Sequence, residues 1–428
     1  MSFHLLRFPH LILENGGGAF LILFFIILNL LALPLIIAEK ILDNKLDKID
    51  LKSLLNIKKT SRAFHLDKSF FFLWYGLRIL VLVCFLWLFL FLSGQAAHYL
   101  FYYLKTMVTS SILTSDLGIA PNINMSLFGA SLWTTLSFIV FLKYREPFFK
   151  WSNQWALPSC FTILFILFLK IILSVQDYNA LKNLFYPDFS ALNSQSLSQL
   201  VGHATASLFV GLGFYKLLKV EAKVDLVEIF INAIIQALCL AVLIGVMALP
   251  MIDQVSETAF GSNWIFTILP RWLSYGKHGY YFCALFFLSI CYVSFHVSVL
   301  IWRILNHNVL LSLNLSSNQK LRWISNISFL IISAVVVYFM QRNFSGWSGQ
   351  SLLLTIDNII VVLCLPVISL MLLWIVFRYS RKSEQSLVFE QQQLFYHNRY
   401  FFKIWRVVAL GFVPFIIILG WLLILLEN

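Results

Sequence analysis

Long apolar runs alternate with short polar or basic stretches along the chain, and the runs set its architecture. Stretches able to cross a hydrocarbon core of about 30 Å lie near 19–38, 70–104, 126–142, 157–175, 203–219, 227–250, 279–305, 323–340, 352–377 and 404–426, after a shorter segment at 3–14. Barrel strands would alternate polar and apolar residues at every second position, whereas these runs are interrupted chiefly by Gly and Pro, so the pattern predicts helices. The expected fold is an all-α polytopic membrane protein, one bundle over residues 1–428 with about 11 transmembrane segments.

Between the short segment and the first full run stands Glu14-Asn15-Gly16-Gly17-Gly18. Three consecutive glycines let the backbone reverse with positive φ and let neighbouring backbone approach closely. Arg7 falls beside this turn at membrane depth and needs a partner there.

Composition agrees with the runs. The chain is 60% hydrophobic, 17% aromatic and 12% charged, against about 25% charged in soluble proteins, and its mean hydropathy is +0.84. The net charge of +12 is unevenly spread. Connections at 40–68, 143–150, 216–223, 303–322 and 378–406 hold 8, 3, 3, 3 and 6 Lys and Arg, whereas the opposite connections hold Lys105, Lys182, Arg271, Lys277 and Arg342. The basic set is therefore expected on the cytoplasmic side of a bacterial inner (cytoplasmic) membrane, next to anionic lipid. The lipid bilayer is the partner this implies, and the charge gives no support for binding nucleic acid.

The first apolar run is too long for the core of a cleavable signal. Six cysteines fall in apolar segments without metal or CxxC spacing, and they read as core residues. No span carries HExxH, GxSxG or paired acids, so an enzyme, a cofactor or a metal centre is not expected.

One string points further. Arg7-Phe8-Pro9, then Glu14-Asn15-Gly16-Gly17-Gly18-Ala19-Phe20, with a following run that ends Leu33-Pro34-Leu35-Ile36-Ile37-Ala38-Glu39, resembles the end of helix one and the start of helix two in neurotransmitter:sodium symporters. Ala156-Leu157-Pro158 opens a helix that ends at Lys170, where the family commonly has Arg, and Leu184-Phe185-Tyr186-Pro187-Asp188-Phe189 resembles the outer-loop element of bacterial members. The stretch Val201 to Phe214, with Ser207, Phe209, Gly211 and Gly213, is similar to the broken sixth helix. The resemblance implies a leucine-transporter-like inverted-repeat bundle: 3–14 as a short outer half of a truncated helix one, 19–47 as helix two, 70–104 as helix three, 203–219 as helix six, 279–305 as helix eight, 352–377 as helix ten and 404–426 as helix eleven.

It also implies secondary active symport of a small solute, an amino acid or amine, by alternating access around a midplane site in a monomer or homodimer. Ser207, Phe209, Gly211, Gly213 and Phe89 fall at its solute-binding positions, and Arg7 with Asp357 at its outer gate. Glycines inside an apolar helix lower its stability by about 1 kcal/mol each, which suits unwound backbone lining a cavity; the competing reading is close packing of helices through small residues.

The family's sodium ligands are largely replaced. His4 stands for the last Asn of helix one, Phe209 for a hydroxyl in helix six, Gln236 or Ala237 for an Asn in helix seven, and Tyr292, Phe295 and His296 for the small and hydroxyl residues of helix eight. Phe89 lacks the hydroxyl of the family's Tyr, and Phe89, Phe209 and Phe295 would fill the volume of solute and ions. Na⁺ as coupling ion is thereby put in doubt. The alternatives are a degenerate member that does not transport, and a proton-linked or uncoupled transporter with His296, His203 and Ser207 as an ion or proton site. Glu39, at the end of helix two, reads as an interfacial cap or a partner of loop lysines.

Overall fold

The computed structural model describes residues 2–46, 63–109, 123–174, 186–214, 226–248, 264–274, 278–312, 319–344, 358–382 and 404–427. Its elements in chain order are α1 (Ser2–Glu14), α2 (Gly18–Leu46), α3 (Ala63–Thr109), α4 (Ile123–Lys143), α5 (Arg145–Trp151), α6 (Leu157–Ser174), α7 (Ser194–Leu208), α8 (Leu226–Ala248), α9 (Leu269–Leu273), α10 (Gly279–Ser312), α11 (Gln319–Phe344), α12 (Leu365–Lys382) and α13 (Val413–Glu427). Among the described residues four π-helical turns lie at Ser152–Ala156, Trp264–Ile268, Ile359–Cys364 and Val408–Phe412. Such turns mark where the regular hydrogen-bond ladder gives way.

Seven helical stretches among the described residues are long and apolar enough to cross a membrane, within 18–42, 69–107, 147–173, 231–248, 279–306, 359–378 and 404–423. Shorter apolar stretches occupy Leu132–Lys143 in α4 and Asn326–Phe339 in α11. The protein is integral to the membrane. Its surface bears this out: on α11, Ile327, Ile331 and Val335 recur at helical spacing and are exposed, as an apolar solvent allows.

The expected run at 203–219 differs in form. Its helix begins earlier, at Ser194 in a polar stretch, and stops at Leu208. Asn193 explains the early start, because its side chain accepts from the Ser196 N–H at 2.8 Å and the Ser196 hydroxyl accepts from the Asn193 N–H at 3.0 Å, a reciprocal cap that satisfies two amides.

Around α7 the bundle is tightly tied. Backbone reversal after α1 uses Gly16 and Gly17 at φ 77° and 55°, and Gly17 pairs with Pro187 of the outer-loop element. A side chain on Gly16 would collide with the Asp188 carbonyl. Asn15 closes the end of α1 through Nδ2 to the Leu11 carbonyl at 2.8 Å, and its Oδ1 accepts from the Ser196 hydroxyl. Beside it, hydrogen bonds from the Ser190 hydroxyl and N–H hold the exposed Asp188 carboxyl below its ordinary pKa.

Further along α7, Gly202 admits the Val361 carbonyl of the third π turn, and Gly420 of α13 lies against Ser198. On the other side of the molecule α3 and α10 run together along most of their length, with α4 packed on both and α11 on α3 and α4. The bundle thus has a thick α3–α10 scaffold facing a group made of α1, α2, α7 and α12.

Candidate functional site: a broken helix against α2, α3 and α12

After Leu208 the chain leaves the helix. Phe209 takes the left-handed region at φ 50°, ψ 34°, and Gly211 and Gly213 follow at φ 80° and 90°. Glycine occupies such angles without a Cβ penalty, whereas a bulky residue does so at a cost of about 1–2 kcal/mol. The departure from helix is held by a carboxylate. Glu39, 1% exposed, accepts the Gly211 N–H at 2.7 Å and the Gly213 N–H at 2.5 Å. Two amides that the broken ladder would leave unmet are satisfied by one charged group, the stronger kind of hydrogen bond.

Glu39 is therefore not an interfacial cap, which corrects the expectation from sequence. Its partners lie 172 and 174 positions away, so nothing local signals the role. A second residue missed by sequence reasoning is Arg78 on α3, 2% exposed. Its guanidinium lies so close to Gly213 that a Cβ there would overlap it, and it stands 5.2 Å from the Trp74 ring centroid. An arginine inside an apolar run is itself the signal that could have found it.

Toward the middle of α3 the surroundings of the break turn aromatic. The Phe209 ring meets Phe85 edge-on at 5.7 Å, Phe89 at 6.3 Å and Phe214 at 4.5 Å between centroids. Phe89 and Phe209 are thus brought together, with Gly211 and Gly213 just beyond them. Ile368 of α12 closes another side, at 2.8 Å from where a Gly211 Cβ would lie. Phe295 is elsewhere, packed on Trp133 and Phe148 at 5.6 and 5.9 Å.

The hydroxyl of Ser207, one turn before the break, donates to the His203 carbonyl at 2.6 Å. A hydroxyl so engaged keeps lone pairs that can still face a cation. His203 is fully buried, stacked on Phe8 at 5.1 Å and flanked by Phe24 at 5.5 Å. Arg7 is buried within electrostatic reach of it. His296 keeps different company: its Nδ1 is 2.6 Å from the Ser152 hydroxyl in the first π turn, between Phe148 and Phe149 at 5.7 and 5.4 Å. The described contacts do not join the two histidines.

On α8, Ala237 faces the core and Gln236 faces outward, so the inward position carries no oxygen. Buried hydroxyls on α10 belong instead to Ser294 and Ser298, the latter donating to the Ser294 carbonyl at 2.8 Å. Asp357 and the side chain of His4 lie outside the described residues.

A helix broken between glycines inside a membrane bundle is an arrangement that secondary transporters use around their midplane sites. The chain superposes on the crystal structure of MhsT in complex with L-phenylalanine with a TM-score of 0.78 at 18% identity, covering 98% of this chain and 95% of that one. It is 23% identical over 312 residues to an uncharacterized sodium-dependent transporter of Haemophilus influenzae, a match covering 70% of this chain and 67% of that protein. No protein-family model matches the chain. The chain thus shares the fold of MhsT and is similar over 312 residues to a sodium-dependent transporter.

Proposed function

We propose that this protein is a secondary active symporter that carries a small solute, an amino acid or amine, across a bacterial inner membrane by alternately opening the two sides of the break at 209–213. The observation that carries the reading is the pair of amides at Gly211 and Gly213, presented at positive φ and held by Glu39. With those amides satisfied by Glu39, unwound backbone at that depth offers a polar solute the carbonyls that lipid cannot. The aromatic wall of Phe85, Phe89, Phe209 and Phe214 suits a solute whose side chain is apolar, and the MhsT structure holds L-phenylalanine.

Orientation follows from the basic connections, which put the end of α2 and the start of α3 inside. The sodium-dependent relative favours Na⁺ as the coupling ion, with hydroxyls such as Ser207 among its oxygens. The inward Ala237 and the His296–Ser152 pair favour a second reading, in which a proton is coupled.

Uptake of radiolabelled amino acids into proteoliposomes, under imposed Na⁺ and proton gradients separately, tests both. Accumulation driven by Na⁺ supports the symporter as stated. Accumulation under a proton gradient alone, abolished by His296→Ala, moves the coupling to the second reading. Folded, monodisperse protein that accumulates nothing under either gradient refutes transport.

A further inference from the structure

On α8 the side turned away from the bundle carries amides. Its buried arc, with Ile234, Ala237 and Ala241, packs on α1, α2 and α6. On the opposite arc Asn232, Ile235, Gln236, Cys239 and Val242 are exposed. Asn232, Gln236 and Cys239 stand at i, i+4 and i+7, so they form one stripe along the helix. α8 runs from Leu226 to Ala248, which puts Gln236 10 residues from one end (236 minus 226) and 12 from the other (248 minus 236), about 15 and 18 Å along a helix. Asn232 lies one turn nearer the start. Both amides therefore fall within a hydrocarbon core of about 30 Å.

Other polar side chains on the lipid-facing surface are treated differently. Ser159 and Thr162, exposed on α6, turn their hydroxyls to the Trp155 and Pro158 carbonyls of their own helix at 2.7 and 3.0 Å. Asn29 on α2 donates to the Phe25 carbonyl at 2.8 Å. No such bond to another described residue ties down Asn232 or Gln236. A primary amide has two N–H donors and a carbonyl acceptor, and hydrocarbon meets none of them. In a bilayer such groups join helices, because the partners they need are carried by another helix.

Symmetry selects that helix. Copies inserted in one orientation are related by a two-fold axis along the membrane normal, which keeps every residue at the depth of its own copy. Asn232 then meets Asn232 of a second copy and Gln236 meets Gln236, and each amide can donate and accept at once. An unrelated helix would need amides of matching spacing at matching depth. The adjoining α6 adds an apolar border to the stripe, with Phe161, Phe165 and Leu169 exposed. We propose that the exposed face of α8 is a homodimer interface in which Asn232 and Gln236 pair with the same residues of a second copy across a two-fold axis along the membrane normal. The inference concerns assembly and does not depend on the transport reading.

Two measurements on the full chain in vesicles of phosphatidylethanolamine and phosphatidylglycerol test it. Single-molecule photobleaching of dye-labelled protein at low density should show two steps per spot. Asn232→Leu combined with Gln236→Leu should weaken self-association roughly tenfold, the scale of two interhelical amide pairs in a bilayer; leucine suits contact with lipid, so the variant still inserts and folds. Cys239 supplies a native probe, exposed on the same stripe while the other five cysteines are buried or half-buried. Copper phenanthroline with dioxygen, which takes up the two electrons and two protons of a thiol pair, should join two chains into a reductant-sensitive dimer that Cys239→Ser abolishes. Single-step bleaching of the unmodified protein overturns the proposal, because the face is then covered by lipid or by other chain. A dimer unchanged in the double leucine variant overturns it as well, with or without the cross-link, since the copies would then meet without the amides.

Discussion

Replacing Gly202 by alanine separates two physical expectations of opposite sign. Helix propensity alone favours the change by about 1 kcal/mol, since Gly202 lies inside α7. The structure opposes it. An ideal Cβ at this position falls 2.5 Å from the Val361 carbonyl oxygen and 3.0 Å from its carbon, where ordinary contact starts at 3.4 Å, so the backbones must part by about 0.9 Å (3.4 minus 2.5). The obstacle is backbone of the third π turn, which cannot rotate aside as a flexible side chain would. Overpacking of this kind costs about 1–3 kcal/mol; less the propensity gain, a net loss of up to about 2 kcal/mol is expected, and a deficit of about 1–3 kcal/mol against a glycine-to-alanine change that meets no obstacle. The matched control is Gly76→Ala on α3, where a Cβ meets nothing within 4 Å. Apparent melting temperatures in one detergent at one scan rate should place Gly76→Ala at or above the unmodified protein and Gly202→Ala below that control by roughly 2 °C or more. A Gly202→Ala protein as stable as the Gly76→Ala control would refute the close approach of α7 to the π turn.

Other substitutions follow from the same geometry. Gly213→Ala combines φ 90° with overlap of the Arg78 guanidinium and should cut initial uptake rates at least about tenfold, the effect of roughly 1.4 kcal/mol, while Gly411→Ala, in open space, leaves them unchanged. Ser196→Ala removes the hydroxyl half of the reciprocal cap of α7 and the tie to Asn15 while the Ser196 N–H still donates to Asn193, and should destabilise by about 1–2 kcal/mol, read as a lower apparent melting temperature. Phe209→Ala relieves no left-handed strain but loses rings at 4.5–6.3 Å; a solute that shares this wall should bind more weakly, seen as a raised KM, whereas Phe295→Ala should leave KM as it is. Ser152→Ala takes away the partner of the buried His296 Nδ1 and should cost about 1–3 kcal/mol of stability without altering solute affinity.

Most of the architecture is legible in the sequence because lipid imposes long apolar runs, and runs can be counted. The break is legible for a related reason: Gly211 and Gly213 are poor helix residues in a place where helix is otherwise compulsory. What holds the break is not legible. Glu39 stands next to Lys40 at the end of an apolar run, the sequence context of an interfacial residue, and its partners are backbone amides, which have no residue type to recognise. The start of α7 at Ser194 was hidden because Ser194 to Gln199 is polar, and helices that pack against other backbone do not need an apolar face throughout. The π turns leave no compositional mark at all.

The way α7 is fixed also says where it can move. Its first half is bound at Asn15 through Ser196, at the third π turn through Gly202 and at α13 through Gly420. The two glycine contacts are close backbone approaches that tolerate little sliding, so this half is fixed against the third π turn and α13. Beyond Phe209 the chain touches a different set: Phe85, Phe89 and Arg78 of α3, Glu39 of α2 and Ile368 of α12. A displacement of the chain after Phe209 relative to α7 is absorbed at 209–213, where φ is already positive at three residues and hydrogen bonds run to a side chain in place of a helical ladder. Side-chain bonds can be exchanged one at a time, whereas a ladder must break as a unit, and that difference is what makes a broken helix a hinge instead of a defect.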